Sequence, residues 1–280
     1  MKPTIASAIV YLVIVNACAA PNPGRSDTTS PATTTPIISI SEEPGESDSS
    51  VSRIDEILDR IEAKSNQIKT LQAKIRYDRI QGLLGDEQRR FGSLVYQAGP
   101  PARFSIHFDR LIVDDTVRMQ NRRYVFDGHW LTEKLDDQKI YIRRQLVDEN
   151  ENADLIKLGE GPFALPLNQK KEEILNRFDV TIMDDNIENE DEEYPANCLH
   201  LLLKPREELD IKPTRIELWY DRESYLPKRA ASIDEKEESE SIIDILNLQE
   251  NIDVDPRVFQ SIPPTEPGWQ IEVKPLEDSQ

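Results

Sequence analysis

TRIELWYDRESYLPKRAASIDEKEESESIIDILNLQENIDVDPRVFQSIPP, residues 214–264, decides how this chain folds. In Thr214–Asp221 the side chains of Ile216, Leu218 and Tyr220 fall on one side of an extended backbone, and those of Arg215, Glu217, Trp219 and Asp221 on the other. A turn over Arg222–Leu226 leads through Pro227 into a second short strand, Lys228–Asp234. The charged turn Glu235–Glu240 leads into a third, Ser241–Leu248. Alternation with period two, interrupted by turn residues, marks antiparallel strands with one face buried. The expectation is a meander with one wet and one apolar face, followed by Asn251–Pro256 and the terminal run Val258–Pro264.

Working outward toward the N-terminus, the same pattern recurs. Thr70–Tyr77 places Leu71, Ala73, Ile75 and Tyr77 on one face. Arg89–Gln97 is followed by the Gly99-Pro100-Pro101 turn and by Arg103–Asp109, with Phe104, Ile106 and Phe108 aligned. Asn121–Phe126 and Trp130–Leu135 flank Asp127-Gly128, a hairpin signal. Lys139–Leu146 pairs back across Asp136-Asp137, with Ile140 and Ile142 facing opposite Tyr141. Phe178–Met183 and Asn197–Lys204 bracket an acidic insert at 184–193. Two helices interrupt this series. Ser52 reads as an N-cap with Asp55 three residues on, and Ile54, Ile57, Leu58 and Ile61 form one stripe, with Ile68 further along. Gln169–Arg177 reads as a short charged helix after the apolar loop Gly161–Leu167. The chain shows neither internal repeat nor strand–helix–strand alternation. The fold class expected is mainly β (α+β): about ten or eleven antiparallel strands in a sheet that curls or closes to hide its edges, with one apolar face that the helix and the Gly161–Leu167 loop can cover.

Composition narrows the function. The chain has 280 residues and a formal net charge of −19, which excludes a nucleic-acid binder, since phosphate neutralisation needs a basic surface. Residues 1–20 carry Lys2, an apolar run from Ala8 to Val15 and the small residues Ala17-Cys18-Ala19-Ala20, which reads as a secretory signal peptide. Two cleavage readings compete: Val15-Asn16-Ala17-Cys18 resembles a lipobox that would leave a lipidated Cys18, and Ala17-Cys18-Ala19 fits an ordinary cut. Residues 21–50, rich in Pro, Ser, Thr and acidic side chains, read as a disordered linker. The folded domain is placed at 51–274 and a short tail at 275–280. Of the two cysteines, only Cys198 lies in that domain, and its strand context marks it as a small core residue.

Catalytic patterns are missing from the sequence. His107, His129 and His200 lie on separate elements without metal-type spacing, and a structural histidine is expected at each. There is no Gly-x-Ser-x-Gly, phosphate-binding loop or dinucleotide turn. The acidic run at 184–193 lacks the loop glycine and alternating ligands of a calcium site. A non-enzymatic monomer without metal or cofactor is expected. Its apolar face is either the wall of a ligand cavity or a filled core, because apolar-in, polar-out is what any barrel needs.

Four segments, taken in order, carry a resemblance. Ile57–Tyr77 is a helix followed at once by a strand; Gly92–Tyr96, a Pro-containing turn and Ala102–Ile106 form a hairpin; Asp127-Gly128-His129-Trp130-Leu131 is an Asp-Gly turn before an aromatic-containing strand. Arg215–Asp221, Leu226-Pro227, Asp244–Asn251, Phe259 and Pro263-Pro264 form the closing meander, and Gly161–Leu165 a Pro-Phe loop. Over about residues 53–273 this set resembles the outer-membrane lipoprotein carrier family, the periplasmic chaperones of the Lol system. The resemblance implies an exported bacterial protein, periplasmic or anchored to the outer membrane through Cys18, that holds lipid or lipoprotein acyl chains. It implies a half-open antiparallel barrel with a helical lid over an apolar cavity, lined by Phe104, Ile106, Phe108, Leu131, Ile216, Leu218 and Tyr220 and covered by Ile57, Leu58 and Ile61 of the helix and Phe163 of the loop. One departure stands out: the family's basic residue before the Pro of the second hairpin is missing from Gln97-Ala98-Gly99-Pro100, so a lid latch of that type does not carry over. The same fold also suits an envelope sensor, or a lipid-anchored structural or receptor protein without cargo.

Overall fold

Strands account for most of the structure. The computed structural model describes residues 46–82, 86–148, 158, 163–183, 195–207, 209, 211, 213–235 and 238–276. The signal peptide, Cys18, the linker up to residue 45, the acidic insert at 184–193 and residues 277–280 lie outside the described residues, as do Gly161 and Pro162. In chain order the elements are helix α1 (Glu46–Ser65), strands β1 (Thr70–Gln81), β2 (Asp86–Gln97), β3 (Arg103–Val113), β4 (Thr116–Phe126), β5 (Trp130–Leu135) and β6 (Ile140–Gln145). There follow helix α2 (Lys171–Arg177), β7 (Phe178–Met183), β8 (Cys198–Pro205), β9 (Arg215–Asp221), β10 (Pro227–Asp234), β11 (Ser239–Glu250), a 3-10 turn (Pro256–Phe259) and β12 (Gln270–Lys274).

The strands form one twelve-stranded sheet in the order β12-β6-β5-β4-β3-β2-β1-β11-β10-β9-β8-β7. It consists of two antiparallel meanders, β1–β6 and β7–β11, joined where β1 pairs with β11. β7 and β12 remain as edges, so the sheet is a barrel left half open. The stripe of α1 lies in the same buried cluster as the inward residues of β1–β4 and β8–β11.

Local chemistry sets the hairpins. Asp127 Oδ1 accepts from the backbone N–H groups of His129 (3.0 Å) and Trp130 (2.8 Å), which fixes the β4–β5 turn. Gly128 there has φ +115°, and a Cβ would stand 2.3 Å from Pro101 Cγ, so that turn requires glycine. Asp221 Oδ1 accepts from the N–H of Glu223 and from both the N–H and hydroxyl of Ser224, closing the β9–β10 turn. At Gly92 the β2–β3 register shifts by a bulge, and an added Cβ would lie 2.1 Å from the His107 carbonyl oxygen.

Several expectations are corrected. The first helix begins at Glu46, so Ser52 is an exposed residue of its second turn and no N-cap. The stretch 46–51 contains neither Gly nor Pro, and the helix extends back almost to Pro44-Gly45. Twelve strands are formed among the described residues, and the one beyond those expected, Gln270–Lys274, pairs in parallel with β6. The β3–β4 hairpin extends through Leu111-Ile112-Val113 to a turn at Asp114-Asp115, both at positive φ. The face expected to be wet also carries an apolar cluster of its own, Cys198, Trp219 and Ala231, with Ile233 and Ile242 beside it.

Candidate functional site: the helix-covered face of the sheet

Register places the inward residues in rows across the strands. One row runs Tyr96 opposite Leu71 and Phe104, and Phe104 opposite Phe126, which in turn faces Leu131. Another joins Leu201, Leu218, Ala230 and Ile243 across β8–β11. Phe104, Ile106, Phe108, Leu131, Ile216, Leu218 and Tyr220 all lie in this cluster together with Ile57, Leu58 and Ile61 of α1, and Phe163 packs against it. The structure thus brings every one of these sequence-derived residues to a single face. Ile106, Ile216 and Leu218 are wholly removed from solvent, at 0% exposure.

The cover over this face consists of α1 and the segment 163–170. α1 is tethered by polar contacts near the surface: Lys64 to Glu250 (2.7 Å), Arg60 to the Tyr225 hydroxyl (2.9 Å), and Lys171 to Asp59 (3.0 Å) and Asp55 (3.3 Å). Glu62 accepts from the backbone N–H of Lys171 (3.0 Å). Surface pairs of this kind contribute at most about 1 kcal/mol each. Burial of Ile57, Leu58 and Ile61, at about 1.5–3 kcal/mol apiece, is the larger hold.

Phe163 enters an aromatic cage. Its ring stands edge-on to Tyr124 (4.9 Å between centroids, 86°) and to Tyr77 (5.4 Å, 79°), with Phe108 at 6.0 Å. Such edge-to-face pairs are worth about 0.5–1.5 kcal/mol beyond their area. At this end the inward face turns polar. Tyr124 donates to Glu133 (2.9 Å), and burial first, then Glu133, pushes its phenol up to about 12. Tyr77 donates to Ser241 (3.2 Å). Arg90, opposite Tyr77, and Arg122, opposite Phe108, point to the same face. Deeper in the apolar part, the Tyr220 hydroxyl is buried without a hydrogen-bond partner, and burial raises its pKa.

No protein-family model matches the sequence, and no curated protein matches it. Solved structures are similar in fold. An uncharacterized conserved protein from Thermus thermophilus shares 12% identity over 79% of this chain and 99% of its own, at a TM-score of 0.46. A LolA superfamily protein from Nitrosomonas europaea shares 10% over 74% of this chain and 97% of its own, at 0.34. The complex of MucA and MucB from Pseudomonas aeruginosa shares 16% over 75% of this chain and 61% of the matched chain, at 0.40. At these identities and TM-scores none of them carries an activity to this chain.

Sequence reasoning missed two features. Arg90 follows Arg89 directly, and only the register shows that the two point to opposite faces. On the face away from α1, a pocket of about 560 Å³ is lined by Arg103, Asp127, His129, Trp130, Arg143, Pro256, Phe259 and Gln260. It lies where the segment after β11 crosses β3 and β4, and the Asp127-Gly128 hairpin was its one legible signal. The histidines have ordinary partners: Asn121 for His107, the Asp148 carbonyl for His129, and Glu217 for His200. Cys198 is buried, as its strand context suggested.

Proposed function

We propose that this chain is an exported binding protein that holds the acyl chains of lipids or lipoproteins between the inward face of its sheet and α1. The observation that carries this reading is the nature of the cover. A wide, continuous apolar face is closed by one amphipathic helix and one loop, held at the rim by polar contacts near the surface. Magnitudes support exchange of the cover for cargo. Lifting α1 exposes Ile57, Leu58 and Ile61 at about 5–9 kcal/mol in total. Each acyl methylene buried in return contributes about 0.8 kcal/mol, so about six to eleven methylenes offset the cost, and chains of about ten carbons or more reach most of that range.

The leader sequence supports export, and a lipidated Cys18 would make the protein a membrane-held acceptor, whereas cleavage beyond it would make a shuttle. The intact mass of the mature N-terminus separates the two. Mass spectrometry of gently purified protein is expected to show bound lipid or acylated peptide. Titration with fluorescent acyl probes of increasing length is expected to show uptake from about ten carbons upward. Apoprotein that takes up no probe of any length ends the proposal.

The complete burial of Ile106, Ile216 and Leu218 also suits a second reading, a structural or sensor protein whose core is filled by its own side chains. That reading expects no uptake and a stable protein partner instead.

A further inference from the structure

Two guanidinium groups sit at the polar end of the inward face without an ion-pair partner among the described residues. Arg90 is only 8% exposed, and its single side-chain hydrogen bond goes to Gln88 (2.5 Å). Arg122 is half-buried, and neither its Nε nor that of Arg90 has a partner. Among the described residues neither arginine forms an ion pair. The two groups repel one another, and Arg79 adds a third positive charge; this repulsion, together with the dominant effect of burial, lowers the pKa of Arg90. Glu133, a carboxylate on that face, accepts from Tyr124. A buried charge left unpaired is costly unless something supplies the counter-charge. The aromatic cage of Tyr77, Phe108, Tyr124 and Phe163 lies immediately beside it and leads into the apolar interior.

We infer that Arg90 and Arg122 form an anion site for the phosphate or carboxylate head of an amphiphile whose chain lies along the apolar face beyond the Phe163 cage. The inference rests on the acyl-binding reading and narrows it to anionic amphiphiles. A planar guanidinium presents two parallel donors to a tetrahedral or planar oxyanion, and paired arginines do so from two sides. Phe163 stands at the boundary between head and tail.

Isothermal titration of the mature protein with dodecyl phosphate, dodecanol and inorganic phosphate tests this. The wild-type protein is expected to bind dodecyl phosphate at least about tenfold more tightly than dodecanol, and inorganic phosphate far more weakly than either. In Arg122→Gln, and in Arg90→Gln where it folds, the preference for dodecyl phosphate over dodecanol is expected to fall to about onefold. Equal binding of dodecyl phosphate and dodecanol by the wild type overturns the head-group site while leaving the acyl reading intact. Inorganic phosphate bound as tightly as dodecyl phosphate overturns the amphiphile assignment in favour of a free-anion site. Binding of neither amphiphile overturns the acyl reading and this inference with it.

Discussion

Arg89 and Arg90 are adjacent in the chain and lie on opposite faces of the same sheet. Arg89 makes a two-pronged contact with Asp78 (2.9 and 3.1 Å), and from there charge pairs continue across the outer face. Asp78 reaches Arg76 (3.5 Å), Arg76 reaches Asp244 (2.6 Å), and Asp244 reaches Arg229 (2.6 Å). Arg229 lies over the Trp219 ring, which stacks on His200 at 4.3 Å, and His200 bonds Glu217. The outer-face network thus spans β2, β1, β11, β10, β9 and β8 with its own charges paired one to the next. On the inner face Arg90 and Arg122 stand beside the aromatic cage with no such partner among the described residues. Compensated charges of this sort fix the register and twist of strands; an uncompensated pair costs stability and points to a ligand.

The contrast can be broken at its strongest point. Asp244→Asn removes the carboxylate shared by Arg76 and the buried Arg229, and is expected to lower unfolding free energy by about 3–5 kcal/mol in urea titration. Replacing Arg229 and Asp244 together by Met and Leu is expected to recover most of that loss, since the pair is worth little beyond mutual satisfaction. On the inner face the sign reverses. Arg90→Met is expected to raise stability of the unliganded protein by about 1–3 kcal/mol, because it removes an unpaired buried charge. A loss of stability on that substitution would show that the two faces do not differ as described. Tyr220→Phe sharpens the point for a neutral group: deleting the unpartnered hydroxyl is expected to be neutral or stabilising by up to about 1 kcal/mol.

The last expected effect is confined to acid. The hydrogen bond from His200 is the main cause that holds the Glu217 carboxyl below its usual value of 4.5, with Arg215 adding to it. A carboxyl whose folded pKa is depressed contributes stability that is complete above its unfolded pKa and is lost as pH falls through the folded one. Stability is therefore expected to fall below about pH 4.5, and Glu217→Gln is expected to flatten that part of the curve. An acid limb identical in the variant and the wild type would remove Glu217 from the compensated network.

Much of this architecture could be read from the chain. Trp130–Leu135 and Phe178–Met183 have the bounds that alternation gives them, and Ile216, Leu218 and Tyr220 face inward as their spacing requires. Alternation is a local signal, and local signals were legible. The parallel strand Gln270–Lys274 was not, because its residues are exposed or half-buried and its pairing depends on a partner some 130 residues away, as in Gln270 opposite Ile140. The Asp114-Asp115 turn was missed because it achieves positive φ without glycine. The Arg90–Arg122 pair depends on the bulge at Gly92 and on register across three strands, and neither is written in composition or period.

The segment between β11 and β12 has a mechanical consequence. It leaves the middle of the sheet and crosses over β3 and β4, burying Phe259. The Ser261 carbonyl accepts from the Tyr141 hydroxyl of β6, and β12 then docks on the far rim. The centre and the rim are thereby belted together from behind, so that bending of the sheet must stretch this belt as well. Cut the belt, and β6 becomes a bare strand border ready to recruit a neighbouring molecule.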